Sequence, residues 1–141
     1  MYLPDVNVWL ALAVPPHLHH QSARAWFDAI PNSLPCFFCR LTQQGFLRLI
    51  NNPAALADCA VTQDQAWKLY DHFLAHSRVS FVDEPTGLES KWRQWTQLPR
   101  FSTKTWSDAY LAAFATAGNL ELVTFDKAIT QHTGVRCTIL S

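Results

Sequence analysis

Two periodicities alternate along the chain. Short, densely apolar runs are read as strands buried on both faces, and longer stretches with apolar residues every three to four positions as helices packed on one side. On that basis strands are expected at 2–5, 34–39, 78–82, 120–125 and 135–140. Helices are expected at 19–30, which stops at Pro31, and at 41–50, which carries Phe46, Leu47 and Ile50 on one side. The run Val8 to Val14 also turns helical before Pro15-Pro16. Thr62-Gln63-Asp64-Gln65 has the pattern of a capping box and opens a helix through Ala66, Trp67, Tyr70, Phe73 and Leu74. Further helices are expected at 87–98 and 105–117, and a short one at 127–132. In 105–117 the buried stripe is Trp106, Ala109, Tyr110, Ala113, Phe114 and Ala117, with Gly118 as C-cap. Five short strands interleaved with helices imply α/β architecture: a three-layer α/β/α sandwich around a mostly parallel five-stranded sheet.

At 141 residues the chain has the size of one domain, 1–141, with no repeat or linker to divide it. Eleven basic residues balance eleven acidic ones, so no long-range field steers a polyanion and any nucleic-acid contact must be a local patch. Only 16% of residues are charged, against about 25% in typical domains. That excludes disorder and is consistent with a partner or a homodimer covering part of the surface. No membrane or export segment is expected, which makes the cytoplasm the default location.

Several motifs carry little. Cys36 and Cys39 form a C-x2-C, but on a strand an offset of three points them to opposite faces, and Cys59 and Cys137 supply no second pair. His72 and His76 have the i, i+4 spacing of a metal pair without the acid of H-E-x-x-H, and read as a solvated face. His17, His19 and His20 fit either a polar helix start or an approach to RNA. No Gly-rich nucleotide loop or G-x-S-x-G elbow is present. Position 7 is Asn where haloacid-dehalogenase-type phosphatases need a second Asp, and only Ser141 follows the last strand where response-regulator receivers need a Lys.

The acids are more telling. In an open α/β sheet, function collects at the carboxyl ends of the strands, near the switch in strand order. Asp5 ends the first strand, Asp126 ends the fourth, and Asp108 lies in the first turn of the helix that feeds the fourth. Singly, each has an ordinary structural explanation as a cap or turn residue. Together they would converge, and carboxylates ~4 Å apart repel by about 4 kcal/mol per pair at an effective dielectric near 20. A hard divalent cation is the natural counter-charge, and an all-oxygen set favours Mg²⁺ or Mn²⁺ over zinc.

The ordered set Asp5-Val6-Asn7, Cys39 to Leu49, Trp106-Ser107-Asp108-Ala109-Tyr110-Leu111-Ala112-Ala113 and Leu122 to Asp126 resembles PIN-domain ribonucleases, and the second segment resembles VapC toxins. The resemblance covers essentially the whole chain. It implies an α/β/α sandwich that binds Mg²⁺ or Mn²⁺ and cleaves tRNA, rRNA or mRNA, as the toxin of a VapBC-type toxin–antitoxin system. It further implies a homodimer and a small VapB-like antitoxin as protein partner. Carried over by position, Asp5, Asp108 and Asp126 would be the metal-binding, catalytic carboxylates, supported by Asn7, Ser107 and Thr124. Gln43 is aligned with the position where the family usually places a fourth carboxylate, and segment 41–50 contains no acid. Weaker metal affinity, above all for a second ion, is the expected consequence.

A substrate rim is expected from Lys91, Arg93, Arg100 and Lys104, which lie in an acid-free stretch, 90–107, ahead of Asp108. Trp92 and Trp95 within it fit core positions at helical spacing. Arg40 and Arg48 are left between substrate, dimer-interface and structural roles. Two alternatives to a nuclease stay open: an impaired PIN module that binds RNA or a protein without cleaving, and an interaction module whose acidic pocket takes a partner's arginine.

Overall fold

Five strands, β1 (Tyr2–Pro4), β2 (Cys36–Phe38), β3 (Val79–Phe81), β4 (Glu121–Thr124) and β5 (Cys137–Ile139), pair side by side in the order β3-β2-β1-β4-β5. The computed structural model describes residues 1–141. All four pairings are parallel, so the sheet is fully and not just mostly parallel. Every strand lies inside its expected range and is shorter, because pairing ends where the chain turns into a helix.

Seven α-helices connect them: α1 (Val6–Ala13), α2 (His20–Ala29), α3 (Arg40–Ile50), α4 (Pro53–Leu56), α5 (Gln63–Leu74), α6 (Leu88–Thr96) and α7 (Thr105–Ala117). Short 3-10 turns occupy Ala57–Cys59 and Lys127–Gln131. The capping box at Thr62 forms as read, its hydroxyl accepting from the Gln65 amide while the Gln65 side chain accepts from the Thr62 amide. Two cores result. On one face Trp9, Phe27, Phe38, Phe46 and Tyr70 pack from α1, α2, β2, α3 and α5, with Trp9 stacked on Phe38 at 3.9 Å between centroids. On the other face Leu3, Leu88, Leu111, Phe114 and Leu122 pack with α6 and α7. Cys36 lies in the first core and Cys39 in the second, so the C-x2-C residues do face opposite sides.

The strand order reverses between β1 and β4, since the chain runs outward through β2 and β3 before crossing back. Pro4 shapes that junction. Tyr2 donates to Pro35 O on the β2 side, and Asp5 donates to Val123 O at 2.8 Å on the β4 side, so alternate amides serve opposite neighbours. The N–H that Pro4 lacks falls on the β2 side. Pairing of β1 with β2 accordingly holds one register pair, Tyr2 with Cys36, whereas β1 with β4 holds three. The strand then breaks at Asp5, whose carboxylate caps α1 by accepting from the Val6 amide at 2.6 Å.

One buried charge fixes the rim of the first core. Arg78 is almost fully buried, donates to Phe27 O and Ile30 O at 2.9 and 2.8 Å, and lies over the Phe27 ring. It thereby satisfies carbonyls at the C-terminal end of α2, where a cation is favoured.

One expectation about a helix face is corrected. Trp106, placed in the buried stripe of α7, is 54% exposed, while Leu111, Ala112 and Ala115 are buried instead. The helix is flanked by the sheet on one side and α6 on another, so burial wraps round it, while Trp106 in its first turn meets α6 only through Trp92. His72 and His76 are both exposed, in line with the solvated face read from the sequence, although α5 ends at Leu74 and only His72 lies within it.

Candidate active site

Asp5, Asp108 and Asp126 meet at the reversal point between β1 and β4. Each has an ordinary structural job as a cap or first-turn residue, and the three jobs converge in space. Asp5 caps α1, Asp126 caps the 3-10 turn by accepting from the Ala128 amide at 2.8 Å, and Asp108 sits in the first turn of α7.

Thr124, fully buried at the end of β4, ties Asp5 to Asp126. Its hydroxyl donates to Asp5 Oδ2 at 2.8 Å and accepts from Asn7 Nδ2 and from the Asp126 amide, each at 3.0 Å. Asn7 also donates to Asp5 Oδ2 at 3.0 Å and accepts from the Phe125 amide at 3.3 Å. Asp5 is thereby fixed in orientation. Beyond it, His19 stacks on Phe125 at 4.3 Å and His20 bonds Ala11 O at 2.7 Å.

The carboxylates interact through space. Burial pushes Asp5 above the usual carboxylate range, against the hydrogen bonds from Thr124 and Val6, and the charge of Asp126 adds to the rise. Burial likewise raises Asp108, opposed by Lys104 and reinforced by Asp126 and Asp5. Asp126 moves the other way, held low first by its hydrogen bond from Lys104. The counter-charge present in the protein is thus a side chain. Lys104 bonds Asp126 and lies 3.8 Å from Asp108, and these two contacts raise its own pKa. A member of the basic rim read from the sequence, it stands at the acids themselves, one helical turn before Asp108.

A cleft of about 260 Å³ opens beside Asp5 and Asp108. Its walls include Ser107 and Leu111 from α7 and Leu41, Gln44, Gly45 and Arg48 from α3. Gln43, expected to face the acids, does not. It is only 7% exposed, accepts from Arg40 and lies against Tyr70 on the side of the first core. One residue of helix is a rotation of about 100°, so its neighbour Gln44 takes the position beside the acids. The cleft-facing set 41, 44, 45, 48 was visible in principle as the helical face opposite the buried Thr42, Phe46 and Ile50.

The remaining rim residues are dispersed. Arg93 pairs with Glu89 one turn earlier, Lys91 hydrogen-bonds Gln94, and Arg100 lines a separate hollow with Phe101 and Trp106. Trp92 and Trp95 pack against the second core, as expected.

All functional oxygens at the junction are hard donors suited to Mg²⁺-type cations, but no three acidic, histidine or cysteine side chains are already gathered as a ligand set. Lys104, its side chain 65% exposed, bridges Asp126 and Asp108, so a cation held by these acids would have to replace its ammonium.

This fold and acidic junction define a PIN domain: the family model described as PIN domain matches residues 2–134, and the chain belongs to that family. Ribonuclease VapC41 of Mycobacterium tuberculosis is 43% identical, the match covering 100% of this chain and 99% of the relative. Ribonuclease VapC38 of the same organism is 35% identical over 92% and 87% of the two chains. Among solved structures, VapBC2 from Rickettsia felis, bound to a fragment of promoter DNA, superposes with a TM-score of 0.73 at 14% identity, covering 99% and 98% of the chains. The sarcin–ricin-loop-cleaving toxin VapC20 of M. tuberculosis gives 0.69 at 15% identity over 94% and 95%. At these identities the structural likeness speaks for the fold.

Proposed function

We propose that this chain is a divalent-metal-dependent endoribonuclease, the toxin of a VapBC-type pair, using Mg²⁺ or Mn²⁺. The observation that carries it is the convergence of Asp5, Asp108 and Asp126 at the strand-order reversal, with Thr124 and Asn7 orienting Asp5 and a cleft open beside it. The full-length likeness to ribonucleases named VapC supports the same reading.

Asp5, Asp108 and Asp126 would hold the cation, which supplies a polarised water for in-line attack on a phosphodiester and steadies charge on the leaving oxygen. Thr124 and Asn7 keep Asp5 aimed, each donating to the same oxygen, Oδ2. Lys104, released from Asp126, is free to meet a phosphate. Gln44, Ser107 and Arg48 line the entrance and would orient the strand.

Partners follow from the relatives. VapBC2 and VapBC-1 are toxin–antitoxin pairs, so a small VapB-like antitoxin is the protein partner proposed for this chain. A homodimer is proposed as well, in keeping with the low charged fraction. No helix is long and apolar enough to cross a membrane, and we place the protein in the cytoplasm.

Purified protein incubated with total RNA, with Mg²⁺ or Mn²⁺ against excess EDTA and alongside Asp5→Ala, tests this. Discrete fragments that vanish with EDTA and fall at least about 100-fold with the substitution are expected, the scale for loss of a charge-stabilising catalytic group. A second reading, an RNA- or protein-binding module that does not cleave, is favoured by the lack of any acid on α3 and by Lys104 at the acids. No cleavage by folded, antitoxin-free protein with either metal would select it.

A further inference from the structure

The cleft beside the acids does not end at Ser107. A second groove, about 310 Å³, shares Leu41, Gln44 and Ser107 with it and continues along Arg40, Trp92, Trp106 and Tyr110. The two form one path from Asp5 and Asp108 to Trp106, whose backbone position is two residues before Asp108.

Trp106 is held as a platform. Its ring meets Trp92 edge-on, 6.1 Å between centroids at 83°, and Trp92 is itself braced by Tyr110 at 5.3 Å and by donating from Nε1 to Trp106 O at 3.0 Å. Tyr110 is pinned in turn by donating to Glu84 at 2.8 Å. A tryptophan so supported yet 54% exposed has a fixed ring with an open face. Cations flank the path. Arg40 and Arg48 are exposed and form no ion pair; the Arg40 guanidinium lies over the Phe81 ring at 4.7 Å and bonds the neutral Gln43. The only acids on the path are the catalytic candidates at its far end.

Fixed aromatic faces alternating with unpaired guanidinium groups are how proteins hold single-stranded nucleic acid, the ring stacking on a base and the cations following the backbone. We infer that Trp106 is a base-stacking, positioning residue: it receives an unstacked base flanking the scissile phosphate, while Arg40 and Arg48 contact the adjoining phosphates. This rests on the ribonuclease reading above. It makes the substrate an unpaired loop or end, since a base within a duplex presents no free face.

The test is equilibrium binding in EDTA, where cleavage cannot intervene. The probes are a fluorescein-labelled eight-nucleotide oligoadenylate and the same ribose-phosphate strand lacking bases, and the readout is polarisation. Wild-type protein is expected to prefer the strand with bases. Trp106→Ala should weaken oligoadenylate roughly 5- to 150-fold and leave the abasic strand unchanged, with Trp106→Phe restoring most of the loss. Arg40→Gln with Arg48→Gln should weaken both probes and flatten the salt dependence by about two phosphate contacts. Equal affinity of wild type and Trp106→Ala for oligoadenylate overturns the inference, as does an equal loss on both probes. So does a Trp106→Ala variant that binds RNA normally but sediments as a smaller species or loses an antitoxin, which would make this face a protein interface. If wild type cleaves RNA with metal while either of those results holds, only this inference falls. If it neither cleaves nor binds RNA, the ribonuclease reading falls with it.

Discussion

Lys104 shows how much a single side chain can alter the chemistry of a carboxylate cluster. Its single ammonium faces the two carboxylates of Asp126 and Asp108 and offsets one of their charges, so a divalent ion must compete with it. Because the lysine is mostly exposed, its pairing is worth about 0–1 kcal/mol. Lys104→Met is therefore expected to tighten Mg²⁺ or Mn²⁺ binding up to about fivefold, measured by calorimetry, while slowing RNA cleavage if the ammonium serves a phosphate when released. Unchanged metal affinity would mean that the lysine does not compete. This role had a signal in the sequence, since Lys104 stands one helical turn before Asp108, but its pairing with Asp126 spans 22 positions and is made only by the fold. The same limit applies to Gln43 and Gln44. Two adjacent glutamines on a helix are chemically identical, and only the rotation of α3 against β2 decides that Gln43 meets Tyr70 and Gln44 the cleft.

Between elements, the tightest contact that bears on the site is α1 against α3. A Cβ on Gly45 would come within 2.5 Å of Val6 Cγ2, one residue past the Asp5 cap. Alanine in a helix is ordinarily favoured over glycine by about 1 kcal/mol. Here Val6 is β-branched and stiff, and overpacking costs about 1–3 kcal/mol. Gly45→Ala is expected to lower stability in urea denaturation and to reduce cleavage by displacing Asp5 from Asp108; a gain in stability would refute the close packing. A second contact joins the 3-10 turn after Asp126 to α6. His132 is buried against Trp95 at 5.1 Å, with burial first and then Arg100 holding its imidazole below the ordinary value. The unfolded chain therefore takes up the proton first. Stability is complete above the ordinary imidazole range and is lost as pH falls through it toward the lower folded value. The melting temperature should drop between pH 7 and pH 5, and His132→Phe should shrink that drop; burial also lowers His17, so part of the dependence remains.

For the whole molecule, a bound cation is linked to folding. A ligand at about 100 times its dissociation constant stabilises the native state by about 2.7 kcal/mol. Mg²⁺ or Mn²⁺ is expected to raise the melting temperature in a dose-dependent way, and Asp108→Ala to abolish the rise. A rise of equal size in that variant would place the ion elsewhere. The sequence by itself determined the class of fold, because strand and helix periods are local and a parallel sheet buried on both faces writes its strands as unbroken apolar runs. It also marked Asp5, Asp108 and Asp126 as candidates, since their positions at the ends of elements are local too. Tertiary structure alone decided the exposure of Trp106, the choice of Gln44 over Gln43, and the placing of Lys104 on Asp126. Each of these depends on how far a sheet extends or how a helix is rotated against its neighbours, and that is fixed by packing among residues distant in the chain.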